Sequence, residues 1–290
     1  MLRWQSWLAY GQAEMVGSDC LHGLEPLKIG TDMNLVGIAA LGVAVVAGAF
    51  GAHAKEWTSI KIGTEASYPP FAFVDASGEL AGFDIEIGNA LCEQMEVKCE
   101  WISLDWDGLI PGLIAGKHDA ILASMSITDE RKQVIGFSKK YYQTPSGIAV
   151  SKDSPLTEAT PEALEDMIVG AQGSTTHSVF AEETFANSDI KLYGTAEEYK
   201  LELESGRIDA AIDDIMILSE WVKSEDGACC KVLQGFKSVP AIHGEGAGIG
   251  VRKEDMDLAD KFSKAVAELR ANGTYKAIND KYFDFDVYGD

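Results

Sequence analysis

Positive charge is scarce in this sequence. It holds 24 Lys and Arg against 46 Asp and Glu, a formal net charge of −22. Such a surface repels nucleic acid and anionic lipid, which makes both poor partner candidates. Metal signatures are missing too. No CxxC motif occurs and the five histidines are scattered, so neither a metal nor a cofactor is expected. Nor does any nucleophile stand out beside a base and an orienting acid, which leaves catalysis without a visible constellation.

Long apolar runs are equally rare. The one that stands out, Leu35 to Phe50 (LVGIAALGVAVVAGAF), is short for a membrane span and suits the core of a signal peptide. Ala52-His53-Ala54 follows it, the small-x-small pattern that signal peptidase reads. Cleavage after Ala54 leaves a mature chain that starts at Lys55. Met33 is a natural start, and residues 1–32 carry no periodic pattern, so 1–54 is read as an upstream extension plus a signal peptide. No Cys sits at the cleavage point, which argues against a lipid anchor. Cysteine usage agrees with export: Cys92 and Cys99 are seven apart, Cys229 and Cys230 are adjacent, and exported chains keep disulfides. A helix-turn-strand corner can bring Cys92 and Cys99 within bridging distance.

The remainder alternates strand and helix signals. Ile60 and Ile62 begin a strand, Ser77-Gly78 marks a turn, and Phe83, Ile87, Leu91 and Met95 line one helix face. Ile110, Leu113 and Ile114 suggest a shorter helix, and Asp119 to Ala123 a short buried strand. This rhythm predicts an α/β fold with largely parallel sheets. An internal echo accompanies it. Ala115-Gly116-Lys117-His118-Asp119-Ala120-Ile121 is similar to Ser205-Gly206-Arg207-Ile208-Asp209-Ala210-Ala211: helix end, Gly cap, short strand opening with Asp-Ala. Two lobes on one plan are expected. Ligands of open sheets bind beyond the carboxyl ends of strands, and Ser124 and Asp214 stand five residues past each Asp.

Ile168 to Thr176 reads as strand, Gly turn and helix start. Free N–H groups there attract an anion such as a carboxylate, although an ordinary N-cap has the same signature.

Eight ordered stretches then converge: 62–71, 78–92, 105–113, 123–131, 170–176, 206–214, 250–255 and 281–289. Among them IGTEASYPPF, ASMSITDER and GRIDAAIDD closely resemble the periplasmic lysine/arginine/ornithine- and histidine-binding proteins of ABC importers, a group that includes octopine and nopaline receptors. The resemblance covers 57–290. It implies a type II, two-lobed periplasmic binding protein with two hinge crossover strands, lobe 1 being 55–144 plus 243–290 and lobe 2 being 145–242. It also implies a disulfide between Cys92 and Cys99, a soluble monomer in the periplasm, a free amino acid as ligand and a membrane permease as partner.

A free amino acid presents a carboxylate and an ammonium on one carbon. Arg131 suits the carboxylate, because guanidinium binds it in a bidentate fork; by spacing alone a surface pair with Asp129 or Glu130 is the competing role. By the resemblance, Thr175 adds an N–H from the second lobe, and Asp214 accepts from the α-ammonium with Ser124 and Ser126. Asp213, its neighbour, points to the other face of the strand. Tyr68 and Trp106 match the aromatics that sandwich a cationic side chain, and Glu65 the acid that meets its far end. The chain departs from the resemblance at Glu65, where an Asp is usual, at Thr176, where a Gln is common, and at Ala123, where a Ser is common. These departures bear on which side chain is preferred.

Three rivals follow. An opine receptor needs a second anion partner, with Ser174, Thr176 and His177 nearby. A cyclohexadienyl dehydratase needs a general acid, for which Glu65 is the nominal choice. A receptor-kinase sensor domain needs a second apolar run, and the sequence has none.

Overall fold

The computed structural model describes residues 55–289. The expected signal peptide and upstream extension lie outside the described residues. Two five-stranded sheets form the frame. In the first the order is Lys98–Ser103, Ser59–Thr64, Ala120–Ile121, Ala247–Val251 and Gly136–Tyr142. In the second it is Asp189–Tyr193, Ile168–Gln172, Ala210–Asp214, Ser146–Ser151 and Cys230–Gly235. In both, three strands run parallel, the fourth runs against them, and the fifth pairs antiparallel to the fourth. A small three-stranded sheet, Ser67–Tyr68, Ala72–Val74 and Leu80–Ala81, follows the first strand.

Alternation sorts the side chains of the second sheet. Ile148, Val150 and Ile212 enter one core, while Ala149 and Ala211 enter another behind them. Helix Phe83–Gln94 buries Phe83, Ile87 and Leu91 completely, as its four-residue spacing predicts. Helix Met256–Asn272 buries Leu258, Phe262, Val266 and Leu269, and stops at Gly273, whose φ of 85° ends it in a left-handed cap. Helix Trp106–Ile114 turns differently from expectation: Leu109 and Leu113 are buried, whereas Ile114 is 57% exposed. The strand expected over Asp119 to Ala123 is regular only over Ala120–Ile121, with single backbone bonds from the Asp119 and Leu122 N–H groups flanking it, and Ser124 beyond it is left-handed at φ 54°.

The sequence echo is also a hydrogen-bond echo. Asp119 Oδ2 accepts from the Lys61 N–H at 3.1 Å, and the Asp119 N–H donates to the Lys61 carbonyl at 2.8 Å. Asp209 repeats both bonds with Ile168, each at 2.8 Å. Gly116 and Gly206 hold φ of 71° and 69° at the preceding helix ends, a conformation glycine reaches without a Cβ penalty. Each Asp thereby staples its strand to the strand beside it.

The chain passes from the first sheet to the second between Tyr142 and Ser146, and returns between Gly235 and Ala247. The return is fastened at Ile127, whose N–H donates to the Gly246 carbonyl at 2.8 Å and whose carbonyl accepts from Glu245 at 3.1 Å. Gly244 has a φ of 67°, and a Cβ there would lie 1.9 Å from the Ile127 oxygen.

Cys92, in the last turn of its helix, is joined to Cys99 on the next strand, with Cα atoms 6.1 Å apart. Cys229 and Cys230, whose pairing the sequence leaves open, are also joined. Among the described residues no helix is long and apolar enough to cross a membrane, and no cluster of His, Cys, Asp and Glu could hold a metal.

Candidate functional site

The carboxyl ends of the parallel strands of both sheets face one cleft. Seven of the eight anticipated residues line one cavity in it: Glu65, Tyr68, Trp106, Ser124, Ser126, Arg131 and Thr175. Asp214 lines an adjoining cavity that shares Tyr68, Ser124 and Ser126 with the first.

Arg131 sits on the short helix Asp129–Lys132, whose N-cap Thr128 accepts from the Arg131 N–H at 3.2 Å. This turn aims the guanidinium into the cleft. Nη1 donates to the Ser126 carbonyl and Nη2 to the Ser174 carbonyl, each at 3.0 Å. The guanidinium carbon lies 5.3 Å from the Trp106 ring centre. Among the described residues Arg131 forms no ion pair with Asp129 or Glu130; Asp129 pairs with Lys132 instead. Burial lowers the Arg131 pKa to about 10, which still leaves it cationic at neutral pH.

Asp214 ends its strand and caps helix Ile215–Trp221. Its Oδ1 accepts from the Met216 N–H at 2.8 Å, and its Oδ2 accepts from the Thr144 hydroxyl. It is only 4% exposed, and burial raises its pKa to about 7 against the pull of those two donors. Asp213 faces elsewhere. It accepts from Tyr68 and Tyr199 hydroxyls at 2.5 Å each and lines neither cavity.

Ser124 is held from behind by a buried acid. Its hydroxyl donates to Asp84 Oδ2 at 3.0 Å, and its N–H donates to the Tyr141 hydroxyl, which in turn donates to Asp84 Oδ1 at 2.9 Å. With its hydrogen committed to Asp84, the Ser124 hydroxyl faces the cleft as an acceptor. Asp84 is fully buried, and desolvation raises its pKa to about 7. Ser126 lies across the cleft from Thr176, with their hydroxyls 3.4 Å apart.

Thr175 departs from expectation in one respect. It lines the cavity, yet its N–H donates to the Ser178 hydroxyl at 3.3 Å as half of a capping box. The ordinary N-cap role is therefore realised at Thr175 itself. Thr176 and His177, the first helical positions, carry the N–H groups that no helical carbonyl can reach.

Trp106 opens helix Trp106–Ile114, and its indole N–H donates to the Ser174 carbonyl at 3.1 Å. Glu65 follows the strand Ser59–Thr64 and is 6% exposed; its pKa rises to about 7 through burial, with Asp213 and Asp105 adding to it and hydrogen bonds from Gln172 and Ser67 opposing it.

Sequence reasoning missed three groups. Gln172 donates from Nε2 to Glu65 Oε1 at 2.8 Å. Asp84 supports Ser124. His177, weighed only as an opine contact, lines both cavities and belongs to a hydrogen-bonded chain. The Val239 N–H donates to His243 Nδ1 at 2.9 Å, so His243 Nε2 carries the hydrogen and donates to Ser146 Oγ at 2.8 Å. Ser146 then donates to His177 Nδ1 at 2.8 Å, and His177 Nε2 points at Asp213 Oδ1, 3.5 Å away. Burial lowers the His177 pKa to about 4, so the ring is neutral. Ser, His and Asp thus stand in sequence, but Ser146 is completely buried and has no approach for an electrophile.

Residues 60–285 match the family model of bacterial extracellular solute-binding proteins, family 3. The chain is 44% identical over 232 residues to the L-arginine-binding protein of Pseudomonas aeruginosa, covering 79% of this chain and 90% of that protein. It is 39% identical to the lysine/arginine/ornithine-binding periplasmic protein of Escherichia coli, covering 86% and 96%. Its fold is similar to that of an ancestral arginine-binding protein bound to glutamine, with a TM-score of 0.73 at 35% identity, covering 80% of this chain and all of that one. The chain belongs to family 3 of the bacterial extracellular solute-binding proteins.

Proposed function

We propose that this protein is a periplasmic receptor that captures a free cationic amino acid and delivers it to the permease of an ABC importer. One observation carries the reading: the cleft sets one guanidinium, Arg131, against two buried carboxylates, Asp214 and Glu65. An α-amino acid with a basic side chain is the complement, with one carboxylate and two cationic groups. Arg131 takes the α-carboxylate, aided by N–H groups at the start of helix Thr176–Thr184. Asp214 and the acceptor oxygen of Ser124 take the α-ammonium. Glu65 takes the distal cation, with Tyr68 and Trp106 beside its stem.

The two lobes, 55–144 with 243–290 and 145–242, close on the ligand, and export after cleavage near Ala54 delivers a soluble monomer. The protein binds without turnover. An opine receptor is the second reading, because space continues past Asp214 into the cavity lined by Thr144, Ser238 and His243, where a substituent on the α-nitrogen would lie. Thermal-shift screening of the common amino acids with ornithine, citrulline, octopine and nopaline tests both, since a ligand that binds only the folded form raises Tm. No shift with any cationic amino acid or opine overturns the proposal. Product from prephenate or arogenate overturns the absence of turnover.

A further inference from the structure

Gln172 is 3% exposed, ends the strand Ile168–Gln172 and lines the cavity opposite Glu65. Its place follows from the hydrogen-bond echo. Glu65 lies four residues beyond Lys61, and Gln172 lies four beyond Ile168, and Lys61 and Ile168 are the residues stapled by Asp119 and Asp209. Glu65 and Gln172 are therefore equivalent positions of the two sheets, brought face to face.

The amide orientation is set by its neighbours. Nε2 donates to Glu65 Oε1 at 2.8 Å and to the Gly194 carbonyl at 3.2 Å, which uses both of its hydrogens. The flipped amide would set an oxygen against a carboxylate and a carbonyl. Among the described residues no donor reaches Gln172 Oε1. The far end of the cavity thus offers acceptors only, the Glu65 carboxylate and the Gln172 amide oxygen, contributed from opposite sides.

Resting on the proposed cationic amino-acid reading, we infer that Gln172 is the specificity-determining residue that makes this site select a guanidinium over an ammonium. A guanidinium is planar and carries five N–H donors in a fixed fork, so it meets a carboxylate and a neighbouring amide oxygen together. It also stacks on flat aromatic walls such as Tyr68 and Trp106. An ammonium has three donors around a point, prefers its hydration shell, and gains less from a second acceptor set beside the first.

Calorimetric titration of L-arginine, L-lysine, L-ornithine and L-citrulline tests this on wild type and on Gln172→Leu. Wild type should bind arginine at least about tenfold more tightly than lysine or ornithine, with citrulline weakest. Gln172→Leu should lose at least about tenfold for arginine and under about threefold for lysine. A wild type that binds lysine as tightly as arginine overturns the inference, and so does a variant that weakens both ligands equally; in either case the receptor reading stands. Absence of binding to every cationic amino acid would instead overturn the receptor reading. The wild-type ratio needs no variant, so equal affinity for lysine and arginine overturns the inference even if Gln172→Leu fails to fold.

Discussion

The Tyr68 hydroxyl donates to Asp213 Oδ1 at 2.5 Å, joining the small hairpin beyond the first sheet to the end of a strand in the second. The acid that does not face the ligand cavity thereby holds a wall of it. A charged acceptor makes this bond stronger than a neutral one, about 1.5–3 kcal/mol. Tyr68→Phe keeps the ring and removes the bond, so affinity for every ligand should fall by roughly tenfold. Asp213→Asn should add little to Tyr68→Phe in a double-mutant cycle read by calorimetry. Additive losses would show that the two residues act separately.

Arg131→Ala and Asp214→Asn should each abolish measurable amino-acid binding, and should do so alike for all side chains. Each leaves a buried charge of the ligand without its partner, a loss of about 2–5 kcal/mol. Circular dichroism melts of the empty variants should stay close to wild type, because Arg131 donates only to carbonyls at the cleft and Asn retains an acceptor for the Met216 N–H.

Glu65 and Asp214 both have pKa values raised to about 7 in the absence of a cation. A bound cation favours the ionised form, so binding releases protons, and affinity rises with pH up to about 7 and levels above it. Below pH 6 the affinity for a dicationic ligand should fall by roughly tenfold per pH unit for each protonated acid. Titrations in buffers of different ionisation enthalpy count the protons. Glu65→Gln should release fewer on arginine binding and bind it at least about tenfold more weakly. Unchanged proton release in Glu65→Gln would contradict this account.

Asp84 sets a second pH effect, on stability rather than affinity. Its pKa is raised to about 7 in the folded state, so between the ordinary carboxylate range and pH 7 the native protein holds a proton that the unfolded chain has lost. Stability contributed this way is present at low pH and is lost as pH rises through that window. The Tm of Asp84→Asn should change less between pH 5 and pH 7 than that of wild type, roughly by the loss of one titrating group. Parallel profiles would count against this role.

Breaking the Cys92–Cys99 bridge should cost little beyond the corner it closes. The loop is seven residues, and so short a closure contributes about 2 kcal/mol. Cys92→Ala with Cys99→Ala should lower Tm by several degrees and leave arginine affinity within about twofold, since neither residue lines the cleft. A large affinity loss would place the bridge in the binding machinery.

The periodic parts of this fold were readable in advance. Phe83, Ile87 and Leu91 bury because their spacing matches a helix turn, and Ser124 and Asp214 line the cleft because both stand five residues past the stapling Asp, Asp214 at its strand's end and Ser124 just beyond one. What escaped notice depends on contacts between distant segments. Gln172 closes an unremarkable strand and matters only because Glu65, 107 residues earlier, lies opposite. Asp84 looked like one more acid in a helix's first turn until Ser124 and Tyr141 closed over it. The Thr175 N–H was expected to be free because nothing in the spacing says that Ser178 turns back toward it. The echo held the signal for Gln172, had Lys61 and Ile168 been aligned along with Asp119 and Asp209.

That echo leaves the cleft with a division of labour. The residues the two halves have in common, a left-handed glycine and a stapling aspartate, fix backbone. The residues that differ at matching places, Glu65 against Gln172 and Ser124 against Asp214, pair one acid with one neutral group, and the acid lies on opposite halves in the two pairs. Exchanging Glu65 and Gln172 would keep every atom type and the net charge of the cleft while moving the negative end to the other half. The side of the cleft that carries each negative charge is thus set by these differing residues, while the stapled backbone beneath is alike in both halves.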